Sequence, residues 1–249
     1  MIEVHFHCLP GVDDGPADWE EAVALCRAAA ADGATTLIAT PHVLRDGWRN
    51  EEPLVRDELI LKLNTLLGGS PAVLAGCEYF YSSDAVELAE KGSAGPLTRL
   101  NRTRYLLVEF GPGQIPKSAA RAFHEFSLLG IVPVIAHPER SLVFVRAPEQ
   151  LESLVARGAV VQVTAGSLVG DFGEGPALAC QEFFRRGLLH LISSDAHSLD
   201  RRPPRLAAAR ERAKRLWGSE AEEGLFVENP EALVRSEMLP WTAALRAQA

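Results

Sequence analysis

The sequence lacks most of the features that would take it out of the ordinary globular class. No apolar stretch reaches the roughly 20 residues a spanning helix needs, and the first residues carry neither a basic n-region nor an apolar h-region. The chain is therefore expected to be soluble and cytoplasmic, with no transmembrane segment. It has no low-complexity tract, no repeat of fixed period and no basic run. A net charge of −8 argues against a general nucleic-acid surface and leaves room for a small or localised anionic substrate. The four cysteines, Cys8, Cys26, Cys77 and Cys180, contain no Cys-x-x-Cys pair. That spacing excludes a zinc knuckle and a disulfide frame, and predicts reduced core thiols.

What is present is length and alternation. At 249 residues with 47% hydrophobic content, the chain fits a single α/β domain over 1–249. Strand-like runs over 2–6, 35–40, 72–77, 105–108, 131–136, 159–163 and 188–193 alternate with helical periodicity over 18–32, 51–67, 117–129, 148–157 and 175–186. A short helix falls within 82–95, and the last fifty residues read as charged helices. In the 51–67 helix, Leu54, Leu59, Leu63, Leu66 and Leu67 make most of the apolar face. Strict alternation predicts parallel strands, closed or nearly closed into a barrel.

The polar residues at the strand ends carry the chemistry. Of seven histidines, five (His5, His7, His42, His137 and His197) stand at or just past the carboxyl end of a predicted strand. Glu78, Glu109 and Asp195 hold the same position, and Asp14 follows in the turn after the first strand, where Asp13 competes with it. Parallel strands deliver such residues to one mouth, and carboxylates gathered there need divalent cations to offset their repulsion. Nine candidate ligands are too many for one cation and suit two or three, with three favoured. Mixed nitrogen and oxygen donors suit manganese, iron or zinc. Four carboxylates against three divalent ions leave a surplus of roughly two positive charges, which matches a phosphate dianion. Arg140, three residues after His137, and Arg202, five after His197 and adjoined by Arg201, are the guanidinium forks expected on that phosphate.

A thiol phosphatase loop does not fit. The loop from Cys8 has Asp14 where an arginine is required, and the segment from Cys180 to Arg186 has no glycine and reads as helix. His124, within a helix, and His190, in the middle of a strand, are assigned to packing or the surface. Lys62, Lys91, Lys117 and Lys214 fall in helices or connections, which argues against a carboxylated bridging lysine.

Taken together, the His-x-His-x-x-Pro-Gly-Val-Asp-Asp-Gly start, Ala-Thr-Pro-His42, Gly-Cys-Glu78, Val-Glu109-Phe, Ala-His137-Pro-Glu-Arg140 and Ser-Asp195-Ala-His197 followed by Arg202-Pro-Pro resemble the polymerase-and-histidinol-phosphatase (PHP) superfamily. The similarity is greatest to its bacterial manganese-dependent tyrosine phosphatases of capsule and exopolysaccharide clusters. That resemblance implies a distorted seven-stranded (β/α)7 barrel and a trinuclear centre, most commonly manganese, held by His5, His7, Asp14, His42, Glu78, Glu109, His137, Asp195 and His197. It implies Arg140 and Arg202 on the phosphate, and as substrate the phosphotyrosine tail of a bacterial tyrosine kinase that controls polysaccharide synthesis. Asp14 is counted with the two arginines as catalytic. The expected reaction is in-line attack on phosphorus by water that the cations have activated as hydroxide. Two alternatives stand beside it: histidinol-phosphate or other small phosphomonoester hydrolysis, and a catalytically silent kinase-binding partner. The sequence leaves the oligomeric state open.

Overall fold

The computed structural model describes residues 1–111 and 113–242. The expected domain over 1–249 also takes in residues 112 and 243–249, which lie outside the described residues. Among the described residues there are nine strands: β1 Ile2–Phe6, β2 Thr36–Ala39, β3 His42–Val43, β4 Ala72–Ala75, β5 Glu78–Phe80, β6 Tyr105–Glu109, β7 Val132–Ala136, β8 Val160–Thr164 and β9 Leu191–Ser193. They form two sheets, ordered β1-β2-β4 and β3-β5-β6-β7-β8-β9, and every ladder is parallel. At least one helix lies between every two strands that pair, as expected for parallel pairing.

The sequence predicts seven strands. The difference arises because two of them are each followed by a further short strand that lies beyond the expected run, β3 and β5. The break after β2 falls at Thr40-Pro41, where proline has no N–H to give to a ladder. The break after β4 falls at Gly76-Cys77. A Cβ on Gly76 would stand 2.8 Å from Ile38 Cγ2 and 3.1 Å from Ala39 O, so the backbone can approach β2 this closely only with glycine. The strands before the breaks join β1, and those after them join β6 through β5. His42 and Glu78 are consequently register partners inside β3 and β5, rather than residues lying just past strand ends.

The first and last strands also meet. His7 N donates to Ala196 O at 3.0 Å and Asp195 N to His5 O at 3.0 Å, a parallel bridge that pairs Phe6 with Ala196. Residues two apart on a strand share a face, and the core divides accordingly. Val4, Ile38, Leu107, Val134 and Leu191 form one apolar cluster drawn from β1, β2, β6, β7 and β9. Their neighbours Val108, Ile135, Val161 and Ile192 pack with Phe123, Phe126 and Phe183 from the helices Ala119–Leu128 and Glu174–Arg185.

Helix Trp19–Ala31 is capped by Asp18, whose Oδ1 accepts from Glu20 N at 2.9 Å and Glu21 N at 3.0 Å. Helix Pro53–Leu67 corrects the expected apolar face. Its buried residues are Arg56, Ile60, Leu63 and Leu67, a stripe at spacings of four, three and four, whereas Leu54 is 74% and Leu66 44% exposed. The guanidinium of Arg56 is accommodated in that stripe because Nη2 donates to Pro96 O at 2.7 Å and Thr98 Oγ1 at 2.8 Å. All four cysteines are free and buried. Among the described residues, no helix is long and apolar enough to cross a membrane.

Candidate metal centre

The alternation of β1 puts His5 and His7 on one face, and their Nε2 atoms stand 3.1 Å apart. Glu78 enters the same space from β5. Its Oε2 lies 3.4 Å from both Nε2 atoms and 2.8 Å from His42 Nδ1, and its Oε1 accepts from His137 Nε2 at 2.8 Å. Asp195 closes the other side, with Oδ1 3.2 Å from His5 Nε2 and 3.5 Å from His7 Nε2. Glu109 Oε2 is 3.8 Å from His42 Nδ1. Asp14 Oδ1 stands between His42 Nε2 at 3.2 Å and His197 Nε2 at 3.1 Å. All nine side chains expected at the centre are therefore brought together. Their donor atoms fall into four overlapping groups, each with atoms within 4.8 Å of one another: His7, Asp14, His42 and His197; His5, His137 and Asp195; His5, His7 and Glu78; and His42, Glu78 and Glu109.

The two arginines meet on one carboxylate. Arg140 Nη1 donates to Asp195 Oδ2 at 2.6 Å, and Arg202 Nη2 donates to the same oxygen. Arg201 instead points away, 88% exposed beside Asp200. His137 and Asp195 have φ of 34° and 52°. Non-glycine residues in that region cost on the order of 1–3 kcal/mol each and cluster at functional sites.

A second layer, missed in the sequence, orients the first. Asp13 Oδ2 accepts from His7 Nδ1 at 2.7 Å and from His42 N at 3.1 Å. Asp13 thus stands behind the imidazoles while Asp14 is among their Nε2 atoms, which separates the two adjacent aspartates. Gln162 Oε1, from β8, is 2.9 Å from His5 Nδ1. Both contacts favour the tautomer that leaves Nε2 free. Arg45 Nη1 lies 2.8 Å from His42 Nε2 and 3.1 Å from Glu109 Oε2, and Trp48 stacks on His42 at 5.6 Å between ring centroids. The sequence signal for Arg45 and Trp48 was their position just after His42; for Gln162 it was a polar residue in an otherwise apolar strand. His190, excluded as a ligand, accepts from Val161 N through Nδ1 at 3.2 Å. It precedes β9 instead of lying within a strand.

The donor set is one that could hold a cation. Burial alone would raise the Asp195 and Glu78 carboxyls. His5, Arg202 and His197 around Asp195, and His5 and His42 around Glu78, hold both well below the usual range. Burial would likewise lower the two imidazoles, but Asp195 and Glu78 bring His5 up to about 9, and Glu78 and Asp14 bring His42 up to about 10. Burial and the neighbouring Glu78 push Glu109 to about 7. Burial takes His137 and His197 down to about 4, reinforced by Arg140 for the former and His7 for the latter. Glu78 Oε2, Glu109 Oε2, Asp195 Oδ1 and His197 Nε2 are buried and have charged neighbours but no well-aligned hydrogen bond. Hard oxygen and imidazole donors converging this way fit divalent cations.

Comparisons with known proteins agree with this chemistry. A family model described as capsular polysaccharide synthesis, CpsB/CapC, matches residues 1–235. Tyrosine-protein phosphatase YwqE of Bacillus subtilis (strain 168) is 35% identical over 243 residues, spanning 96% of this chain and 93% of that protein. A solved structure, reported with YwqE of Bacillus subtilis and CpsB of Streptococcus pneumoniae as unique metal-dependent tyrosine phosphatases, is similar at a TM-score of 0.90 and 35% identity, covering 96% of each chain. An organophosphorus hydrolase from Deinococcus radiodurans shares the fold alone, with a TM-score of 0.58 at 15% identity over 94% of this chain and 92% of that one. With the family match running from the first strand past the last site residue, the chain belongs to the CpsB/CapC family of capsular polysaccharide synthesis.

Proposed function

We propose that this chain is a metal-dependent protein-tyrosine phosphatase linked to capsular or exopolysaccharide synthesis. The observation that carries the reading is the convergence of five imidazoles and four carboxylates, four of whose buried atoms have no well-aligned hydrogen bond. In this reading His5, His7, Asp14, His42, Glu78, Glu109, His137, Asp195 and His197 hold three divalent ions, manganese first, with iron or zinc as alternatives. Four overlapping donor groups support more than one ion, and three leave the net positive charge that a phosphate dianion needs. The nine strands act as the seven staves of a distorted (β/α)7 barrel, two of them kinked at Pro41 and Gly76. The Phe6 to Ala196 bridge supports closure of that ring. We take the chain as one domain.

When bound, the cations supply Lewis acidity toward the phosphate oxygens and lower the pKa of water toward neutrality. The protein's own groups do the rest. Arg140 and Arg202, which share Asp195 Oδ2, grip the non-bridging oxygens. Asp14 is the most exposed carboxylate of the set, and its Oδ2 lies 3.8 Å from Arg202 Nη1. Burial would raise its carboxyl, but His197 and His42 hold it far below the usual range, so it stays ionised and orients the attacking water. A tyrosine leaving group, with a pKa near ~10, departs with less protonation than an alkyl alcohol requires. The substrate proposed is the phosphotyrosine tail of a bacterial tyrosine kinase, which sets the work in the cytoplasm.

The test is hydrolysis of a phosphotyrosine peptide after chelator dialysis and manganese add-back, with His42→Ala, Arg140→Ala and Cys8→Ser beside the wild type. The first two variants are expected to lose at least ~100-fold in kcat/KM, since each removes a charge-assisted contact or a ligand. Cys8, buried in the core, is expected to tolerate serine with activity retained. An inactive cysteine variant beside active histidine and arginine variants would overturn the reading.

A further inference from the structure

A cavity of about 190 Å³ opens beside the centre, its lining shared between the polar Glu109, His137 and Arg140 and the apolar Phe110, Pro138 and Phe144. We infer that this cavity is the seat of the substrate's tyrosine ring, with its phosphate directed to Arg140 and the metal-ligand cluster. The inference rests on the phosphatase reading and names the residues that would select an aryl ester over an alkyl one.

Size comes first. A cavity of roughly 150 Å³ lined by apolar side chains takes up a benzene ring, so a volume of about 190 Å³ is enough for one phenyl group. The walls also differ in character. Phe110 and Phe144 meet edge-on, with ring centroids 6.0 Å apart at 71°, an arrangement suited to receiving a third ring. The same lining carries the carboxylate of Glu109, the imidazole of His137 and the guanidinium of Arg140, groups that address a phosphate. An aryl phosphate has this same division, with an apolar disc at one end and a dianion at the other. Arg45 stands at the boundary, its guanidinium 3.1 Å from Glu109 and 6.0 Å above the Phe80 ring. Ser141 also lies in the lining, with its Oγ buried away from the cavity space. The larger cavity near His197, about 500 Å³, is a poorer seat for the same group. Asp18, Glu20, Glu21 and Asp200 contribute to its lining, which repels a dianion, and it has no aromatic wall.

The experiment is calorimetric titration of the metal-loaded protein with phenylphosphonate and methylphosphonate, which share a head group and differ by the ring. Wild type is expected to bind the phenyl compound on the order of tenfold more tightly, the gain from burying one ring. Ser141→Leu, checked for native circular dichroism, puts a larger side chain in the cavity lining and is expected to bring the ratio to within twofold of unity. Ser141→Ala and Leu199→Trp, the latter filling the larger cavity, are expected to keep it. A wild-type ratio near one, or a ratio that survives Ser141→Leu and collapses in Leu199→Trp, overturns the assignment. Should Ser141→Leu fail to fold, the wild-type ratio and the Leu199→Trp result decide. Hydrolysis of a phosphotyrosine peptide by the same wild-type preparation separates the two readings. Turnover with a flat phosphonate ratio sinks only the ring seat, and no turnover sinks the phosphatase.

Discussion

Replacing Gln162 by methionine tests whether the second layer sets the strength of metal binding. Gln162 and His5 are both wholly buried, and the 2.9 Å contact from Gln162 Oε1 to His5 Nδ1 leaves Nε2 directed at the space shared with Asp195 Oδ1 and Glu78 Oε2, 3.2 and 3.4 Å away. Methionine preserves the volume and removes the acceptor. The buried N–H at Nδ1 then has no partner, which costs about 1–3 kcal/mol, and the imidazole is free to adopt the other tautomer. Metal affinity is therefore expected to fall by about 10- to 100-fold, the range usual for loss of an orienting partner. Gln162→Glu keeps an acceptor oxygen and is expected to retain most of the affinity. Competition with a fluorescent chelator measures the change. At saturating metal the KM for substrate should hold, because Gln162 does not reach the two arginines. A Gln162→Met protein with native circular dichroism and metal affinity within twofold of wild type would refute the reasoning.

Two further outcomes concern stability. Glu3 is fully buried, with Oε2 accepting from Ser193 Oγ at 2.6 Å and Ser194 N at 2.8 Å and Oε1 unpartnered, and burial pushes its carboxyl from 4.5 to about 7. The native state retains a proton that the unfolded chain releases, so this contribution is complete below about pH 4.5 and is lost as pH rises through about 7, a change of roughly 3 kcal/mol. Glu3→Gln should remove that decline in urea unfolding at pH 5 and 8, and a wild-type to variant difference independent of pH would count against it. In helix Pro53–Leu67, Leu63→Ala should cost about 2–5 kcal/mol and Leu54→Ala within about 0.5 kcal/mol. Equal losses in denaturant midpoints would return Leu54 to the packed face.

The candidate ligands were legible because parallel strands carry their chemistry at one end. His5, His7, His137 and Asp195 could each be read from a local run followed by a breaker, and a common mouth then follows from topology. What local pattern cannot give is contact across the chain. Gln162 meets His5 over a separation of 157 residues, and in its own strand it is only a polar interruption. The roles of Asp13 and Asp14 differ by the direction in which adjacent side chains leave a turn, which composition does not encode. The broken strands were hidden for a related reason. Pro41 looked like a terminator and Gly76 like an ordinary strand residue, yet the chain resumes pairing at His42 and Glu78, three residues beyond Ala39 and Ala75, with a different neighbour. The leucines of the 51–67 segment misled because they were abundant on more than one side, and the buried stripe runs through Arg56, Ile60, Leu63 and Leu67, with Leu59 packed at its margin.

The seam where Phe6 pairs with Ala196 has a consequence for biosynthesis. The earliest imidazoles to leave the ribosome, His5 and His7, wait for Asp195 and His197, which emerge nearly two hundred residues later, and closing so long a loop is entropically slow. Assembly of all nine side chains therefore waits for β9, and a nascent or prematurely terminated chain lacks Asp195 and His197.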